Sequence, residues 1–226
     1  MPDKLKLTLF DLDHTLLEGD SDVLWCDFLI DQGRLDRAKF ERRNAEMARQ
    51  YRAGLVSPHA FCNFYVATLA GHSAADWGPL RHQFLDTVVA PRISPAAHAL
   101  VRRHRIAGDL IVLTTATNRF LTTLTAAHLG LPHLIATECE TDADGRFTGR
   151  TTGTLNMREG KVVRLQDWLA ARQIELSDCE SRLYSDSIND LPLLQAVDQP
   201  VAVNPDDRLL AQAQAQGWPV YQLGKG

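Results

Sequence analysis

Leu5-Lys6-Leu7-Thr8-Leu9-Phe10 runs without a break into Asp11-Leu12-Asp13-His14-Thr15-Leu16, so an apolar segment of strand length empties directly into two carboxylates. A run of this kind, closing on an apolar pair, reads as a buried strand. Two acids two residues apart at a strand exit repel each other and lose hydration together, which a merely structural strand end does not favour. A cation beside them removes that objection. Outward along the chain, strand-like runs recur at 109–114, 181–184, 200–203 and 220–223, with helical stretches at about 95–106, 117–130, 160–173, 190–197 and 206–216 between them. Strands alternating with helices predict an α/β fold, a mostly parallel sheet covered on both faces, with chemistry gathered outside the carboxyl ends of the strands.

From about Gly19 to Arg92 that rhythm stops. Phe40, Met47 and Tyr51 share one helical face with Arg42, Arg49 and Arg52 opposite, Phe61, Phe64, Tyr65 and Leu69 make a second apolar face, and Leu80, Phe84, Leu85 and Val88 a third. Neighbouring amphipathic helices bury such faces on one another, so residues 19–92 are expected to form a small helical bundle. It would sit as a cap over the end of the first strand, with 1–18 and 93–226 making the core. Gly19 and Ala90-Pro91-Arg92 are the expected hinges, and the arginine stripe reads as a solvated face. Asp144-Gly145, between β-favouring stretches, reads as a hairpin turn; a calcium loop would need further ligands and a closing Glu that are missing.

The 226 residues carry 24 Lys and Arg against 28 Asp and Glu, a net charge of −4 that argues against a nucleic-acid partner. No apolar stretch approaches a membrane span, and the N-terminal run lacks a signal-peptide cleavage pattern, so a cytoplasmic protein without a membrane partner is expected. Cys26, Cys62, Cys139 and Cys179 are scattered singly and read as buried reduced thiols. Nothing in the apolar pattern specifies an oligomeric state.

A second strand exit repeats the chemistry of the first. Leu183-Tyr184-Ser185-Asp186-Ser187-Ile188-Asn189-Asp190-Leu191-Pro192 again delivers two acids after an apolar run, with Pro192 suited to the first turn of a helix. A parallel sheet brings such ends together, and carboxylates with room for water are what a magnesium ion prefers. Thr114-Thr115-Ala116-Thr117-Asn118 offers hydroxyls and backbone N–H groups where anions are favoured, read here as the start of a helix. In Glu159-Gly160-Lys161 a lysine opens a helix against the macrodipole, a place explained by pairing with a carboxylate and a phosphoryl group.

Taken together these segments resemble the haloacid dehalogenase superfamily of aspartate-nucleophile phosphatases, in its phosphoserine-phosphatase-like branch. Asp11-Leu12-Asp13-His14-Thr15 is similar to its first motif, Thr115 to its second, Lys161 to its third and Asp186 to Asp190 to its fourth. The resemblance covers nearly the whole chain. It implies a Rossmann-like three-layer core with an inserted helical cap, Mg²⁺ dependence, and hydrolysis of a small phosphorylated metabolite through an aspartyl-phosphate. Asp11 is then the nucleophile and Asp13 the general acid and base. Thr115, the backbone at Ala116 and Lys161 would hold the phosphoryl oxygens. Asp11, Asp186 and the Asp13 backbone carbonyl would hold the metal, and Asp190 would support that site and orient Lys161. His14 is expected to have a local packing or substrate-facing role and no proton-shuttle role.

Asp20 falls where phosphoserine phosphatases carry an acid that meets the substrate amine. Their cap arginine for the serine carboxylate has no counterpart in the comparable stretch 55–66, which fits a cationic or neutral leaving group better. Thr137-Glu138-Cys139-Glu140, Gly149 and Glu159-Gly160-Lys161 are also similar to bacterial branch members assigned to histidinol phosphate. Histidinol phosphate is therefore the candidate substrate. The alternatives are phosphoserine, phosphoryl transfer between substrates, and a catalytically silent domain that binds a phosphorylated ligand.

Overall fold

The computed structural model describes residues 4–224, leaving the ends of the expected core and the side chain of Arg52 outside the described residues. Seven strands form one sheet in the order β4 (Phe147–Thr152), β3 (His133–Thr141), β2 (Leu110–Asn118), β1 (Leu5–Phe10), β5 (Cys179–Ser185), β6 (Gln199–Val203), β7 (Val220–Tyr221). β1 (Leu5–Phe10) lies between β2 (Leu110–Asn118) and β5 (Cys179–Ser185) and is parallel to both, so residues 104 and 174 positions away in sequence, Thr115 and Ser185, end near Asp11. β6 (Gln199–Val203) and the short β7 (Val220–Tyr221) extend the sheet on one side in parallel.

Alternation along β1 sorts the two layers. Leu7 and Leu9 pack with Leu165 and Leu169 of α7 (Glu159–Ala170), Leu193 and Leu194 of α8 (Leu191–Ala196) and Leu209 of α9 (Asp207–Gln216). Phe10 points the other way, into a cluster with Leu100 and Val101 of α5 (Pro95–Ile106) and Leu121 of α6 (Arg119–His128). Each fully buried leucine of this kind contributes about 1.5–3 kcal/mol. These two clusters create the covering of both sheet faces expected from the strand and helix alternation, and with it the Rossmann-like layering that the resemblance implies.

Two differences from the sequence reading have physical causes. β3 (His133–Thr141) is a full member of the parallel sheet, and β4 (Phe147–Thr152) returns from it as an antiparallel arm around Asp142–Arg146, where Gly145 adopts φ 74°. The polar residues of the projecting arm hide the apolar start of β3. The stretch read as the start of a helix at 117 is strand: Thr114, Thr115 and Thr117 are β-favouring, and β2 continues to Asn118, whose side chain then caps α6 by accepting from the Leu121 N–H.

Between β1 and α5 the chain forms α1 (Ser21–Asp31), α2 (Arg37–Arg52), α3 (Pro58–Val66) and α4 (Ala74–Phe84), the last running into a π-helical turn at Leu85–Val89. The expected apolar faces do meet: Phe40 stacks on Phe64 at 5.5 Å and Tyr51 on Phe61 at 4.3 Å between ring centroids. Phe84 of the expected third face joins Trp25, Phe28 and Trp77, which the sequence reading did not single out, in the aromatic centre. The helical cap joins the core through two chain crossings that are tied together, the Glu18 N–H donating to the Arg92 carbonyl at 2.9 Å.

Candidate active site

Asp11 is the first residue past β1, and its N–H still donates to the Tyr184 carbonyl at 2.9 Å, which fixes the backbone of the carboxylate to the sheet. The chain then folds back in one tight turn. The Leu12 carbonyl accepts from the N–H groups of Thr15, Leu16 and Leu17, with His14 exposed at φ 58° at the turn's crest. That turn returns the Thr15 hydroxyl beneath Asp11, 3.1 Å from Asp11 Oδ2 and 3.0 Å from Asp186 Oδ1, while the Asp186 N–H donates to Thr15 Oγ1. One hydroxyl has one proton to give. It serves one carboxylate fully, and the other is left short of a donor.

Lys161, 2% exposed on the first turn of α7, resolves the charge on the opposite side. Its Nζ donates to Asp11 Oδ1 at 2.7 Å and to Asp190 Oδ2 at 2.6 Å, and the Ser185 hydroxyl donates to that same Asp190 oxygen at 2.8 Å. Burial would push the ammonium down, but the two carboxylates outweigh it and hold Lys161 charged, above the ordinary lysine value. Burial raises Asp11 to about 6 against the pull of Lys161, with Asp190 and Asp13 adding to the rise. Asp186 is raised to about 8 by burial and by the charge of Asp11.

Asp13 turns away from this pair. Its Oδ1 accepts from the N–H of Ser21 at 2.8 Å and from the Ser21 hydroxyl, and its Oδ2 accepts from the Thr117 hydroxyl at 2.7 Å, with Thr115 Oγ1 at 3.5 Å. Burial, then the neighbouring charge of Asp20, raises it above the usual carboxylate range, while the Ser21 and Thr117 bonds pull it down. Asp20 is the N-cap of α1, its Oδ1 accepting from the N–H groups of Asp22 and Val23. Asp22, bonded to the Asn118 amide at 3.1 Å, is raised well above its ordinary value by burial and by the charges of Asp20 and Asp13, so three acids crowd the seam between cap and core.

The structure therefore gathers Asp11, Lys161, Asp186 and Asp190 into one connected cluster and sets Asp13 with Thr115 beside it. Ala116 lies in the irregular stretch of β2 between Thr115 and Asn118, where the pairing with β3 slips. Among the described residues no three acid, His or Cys side chains form a ready metal cage, and the four acids expected there split: Asp11 and Asp186 face each other across Thr15, Asp190 faces Lys161, and Asp13 faces Ser21 and Thr117. The donor set nonetheless suits a divalent cation. Three buried carboxylates stand around one ammonium that bonds only Asp11 and Asp190, while Asp11 and Asp186 compete for the single Thr15 proton. Sequence reasoning gave no role to Ser21, Asp22 and Ser185, placed Thr15 in the first motif without a contact, and read the Thr117 hydroxyl as facing an anion, not Asp13. Asp22 carries a sequence signal, an acid just inside a helix that another acid caps.

Chemically, the cluster holds one carboxylate beside a fixed ammonium and a second carboxyl, of raised proton affinity, on neutral donors a short distance away. The model of the family described as haloacid dehalogenase-like hydrolase matches residues 8–195, which span all of these groups. The chain belongs to the haloacid dehalogenase-like hydrolases. Among relatives, a histidinol-phosphatase of Neisseria meningitidis serogroup C (strain 8013) is 41% identical over 218 residues, 96% of this chain and 98% of the relative. Phosphoserine phosphatase SerB1 of Mycobacterium tuberculosis (strain ATCC 25618 / H37Rv) is 31% identical over 93% of this chain and 68% of its own length. The crystal structure of a Bordetella pertussis Tohama I protein superposes with a TM-score of 0.94 at 46% identity, covering 98% of this chain and 100% of that one. No helix among the described residues of this haloacid dehalogenase-like hydrolase is long and apolar enough to cross a membrane.

Proposed function

We propose that this hydrolase cleaves the phosphate monoester of histidinol phosphate, with Asp11 as nucleophile and Asp13 as general acid and base. The observation that carries the assignment is the division of the acids: Asp11 is held by the Lys161 ammonium at 2.7 Å, whereas Asp13 rests on the hydroxyls of Thr117 and Ser21. Above about pH 6 the Asp11 carboxylate is ionised, and the ammonium keeps it aimed, as a nucleophile must be. A carboxyl of raised proton affinity on neutral donors gives and takes a proton readily.

In the first step an Asp11 oxygen forms a bond to phosphorus as the bond from phosphorus to the ester oxygen breaks. Asp13 delivers its proton to that departing oxygen, and Lys161 and Thr115 hold the phosphoryl oxygens. In the second step Asp13 takes a proton from a water that attacks the phosphorus of the aspartyl-phosphate, releasing phosphate and restoring Asp11. A magnesium ion, when bound, supplies charge neutralisation between nucleophile and phosphate; Asp11, Asp186 and the Asp13 backbone carbonyl would hold it, with Asp190 keeping Lys161 in place.

We assign substrate choice to residues 19–92 as the cap, over a core of 1–18 and 93–226. The crowding of Asp13, Asp20 and Asp22 at the seam favours a leaving alcohol that carries positive charge, and residues 55–66 present no guanidinium to a carboxylate. The strong relatedness to a histidinol-phosphatase supports the same choice. Phosphoserine is the second reading, favoured by Arg158, whose guanidinium reaches from the core to within 5.2 Å of the Tyr51 ring centroid in the cap. Phosphate release with magnesium, measured across histidinol phosphate, phosphoserine, sugar phosphates and lysophospholipids, tests the choice. The highest kcat/KM is expected for histidinol phosphate; a clear preference for phosphoserine overturns the substrate and keeps the chemistry.

A further inference from the structure

The loop that leads from β4 into α7 contains a side chain with no exposure at all, Asn156, five positions before Lys161. Burying an amide without partners is unfavourable, and every donor here has a destination. Nδ2 donates toward the carbonyls of Thr115 and Ile135, each at 2.9 Å, and toward Thr114 Oγ1 at 3.0 Å, while the Asn156 backbone N–H donates to Thr137 Oγ1 at 3.1 Å. With two backbone carbonyls among the acceptors, the amide is oriented with nitrogen inward, because the opposite orientation would set three oxygens face to face.

Those carbonyls lie where the sheet is irregular. β2 and β3 pair in step from Val112↔His133 to Thr115↔Ala136 and then jump to Asn118↔Thr137, leaving Ala116 and Thr117 outside the ladder. A bulge of this kind re-aims side chains, and here it turns the Thr117 hydroxyl onto Asp13 at 2.7 Å, with the Thr117 N–H donating to Thr115 Oγ1 at 3.2 Å. Asn156 supplies from a side chain the hydrogen bond to the Thr115 carbonyl at the point where β2 leaves the ladder. The same loop is tight on its other side: a Cβ on Gly160 would stand 2.1 Å from the Leu155 carbonyl oxygen, so residues 155–160 admit little freedom before Lys161.

We infer that Asn156 is a positioning residue for the hydrolytic reaction, setting through one buried amide both the β2 bulge that holds Asp13 and the start of the helix that carries Lys161. It touches neither the phosphate nor the reacting atoms. The inference rests on the roles given above to Asp13 and Lys161.

The test compares Asn156→Asp, nearly identical in volume but facing two carbonyl oxygens with a carboxyl, with Asn156→Ala and with Thr137→Val. The last removes only the acceptor of the Asn156 backbone N–H and leaves the amide in place. For each, kcat, KM and the pH profile of phosphate release are measured on protein whose active sites have been counted by the burst of first turnover. Displacement of catalytic groups by about 1 Å costs on the order of 100-fold in rate. Asn156→Asp and Asn156→Ala are therefore expected to lose about 10- to 100-fold in kcat per active site, with KM changed less than about threefold and the pH profile displaced. Thr137→Val is expected to lose thermal stability while keeping the wild-type pH profile. If the Ala variant does not fold, the Asp variant decides. An Asn156→Asp enzyme with wild-type kcat per active site and an unmoved pH profile overturns the inference, whatever its Tm. A wild-type protein that releases phosphate from no monoester would instead overturn the assignment of the reaction, so the two failures are distinct.

Discussion

Replacing Asp186 by Asn should make the metal-free protein more stable while disabling it. The Asp186 carboxyl is held at about 8 in the folded chain by burial and by the Asp11 charge, against an ordinary value of 3.8. A group whose folded value is raised favours the folded state below its unfolded value, and that favour is lost as pH climbs toward the folded value. At pH 7 the carboxyl therefore disfavours folding by about 4 kcal/mol relative to an uncharged group, and at pH 5 by about 2 kcal/mol. The amide accepts less strongly than a carboxylate from the Thr15 hydroxyl, which takes back about 1 kcal/mol. A net gain of about 3 kcal/mol at pH 7 corresponds to a Tm higher by about 6–12 °C for a chain of this size, shrinking to a few degrees at pH 5. Thermal unfolding in chelator at the two pH values measures it. Magnesium should then raise the Tm of the wild type and leave that of the variant nearly unchanged. An equal or lower Tm for Asp186→Asn at pH 7, or an advantage that is the same at both pH values, would refute the electrostatic reasoning.

Lys161→Met leaves Asp11 and Asp190 buried without their cation and should lower stability by about 3–5 kcal/mol, read from urea unfolding, with phosphate release abolished. Thr117→Val removes the donor to Asp13 Oδ2; kcat is expected to fall by about 10- to 100-fold and its pH profile to move to higher pH, because a bond that favours the ionised form is gone. Arg158 sits at φ 50° and ψ −129°, backbone that suits glycine, so Arg158→Gly should raise stability by about 1 kcal/mol in thermal unfolding. The same variant should turn over histidinol phosphate as well as the wild type; a selective loss on phosphoserine, with phosphoserine the better wild-type substrate, would favour the second reading of the site.

Asp11, Asp13, Asp186 and Asp190 are legible in the sequence because an apolar strand that ends in paired acids has few structural excuses, and Lys161 because it opens a helix at the wrong end of the dipole. The threonines, serines and asparagine that organise them are not. Thr15 acts through a turn whose three N–H groups converge on one carbonyl, and Thr117 through a slip of the β2–β3 register; neither leaves a mark in residue type or spacing. The same slip explains why Thr115 to Asn118 reads as a helix start, although Asn118 does cap the helix that follows. Asp20 shows the opposite limit: its position is visible, but only coordinates reveal that one of its oxygens is taken up in capping α1 and that Asp22 stands beside it. The aromatic centre of the cap was hidden because Trp25 and Trp77 belong to helices with weak one-sided patterning and meet only after the chain has folded.

The most direct measurement is of the covalent bond itself. Enzyme quenched in acid during steady turnover and reduced with borohydride converts an aspartyl-phosphate to homoserine, which mass spectrometry of peptides locates. Conversion at residue 11, growing with substrate and absent in Asp11→Asn, is the expected result. Full turnover with no residue converted, or conversion at Asp13, Asp186 or Asp190 in place of Asp11, would contradict the assignment of the nucleophile.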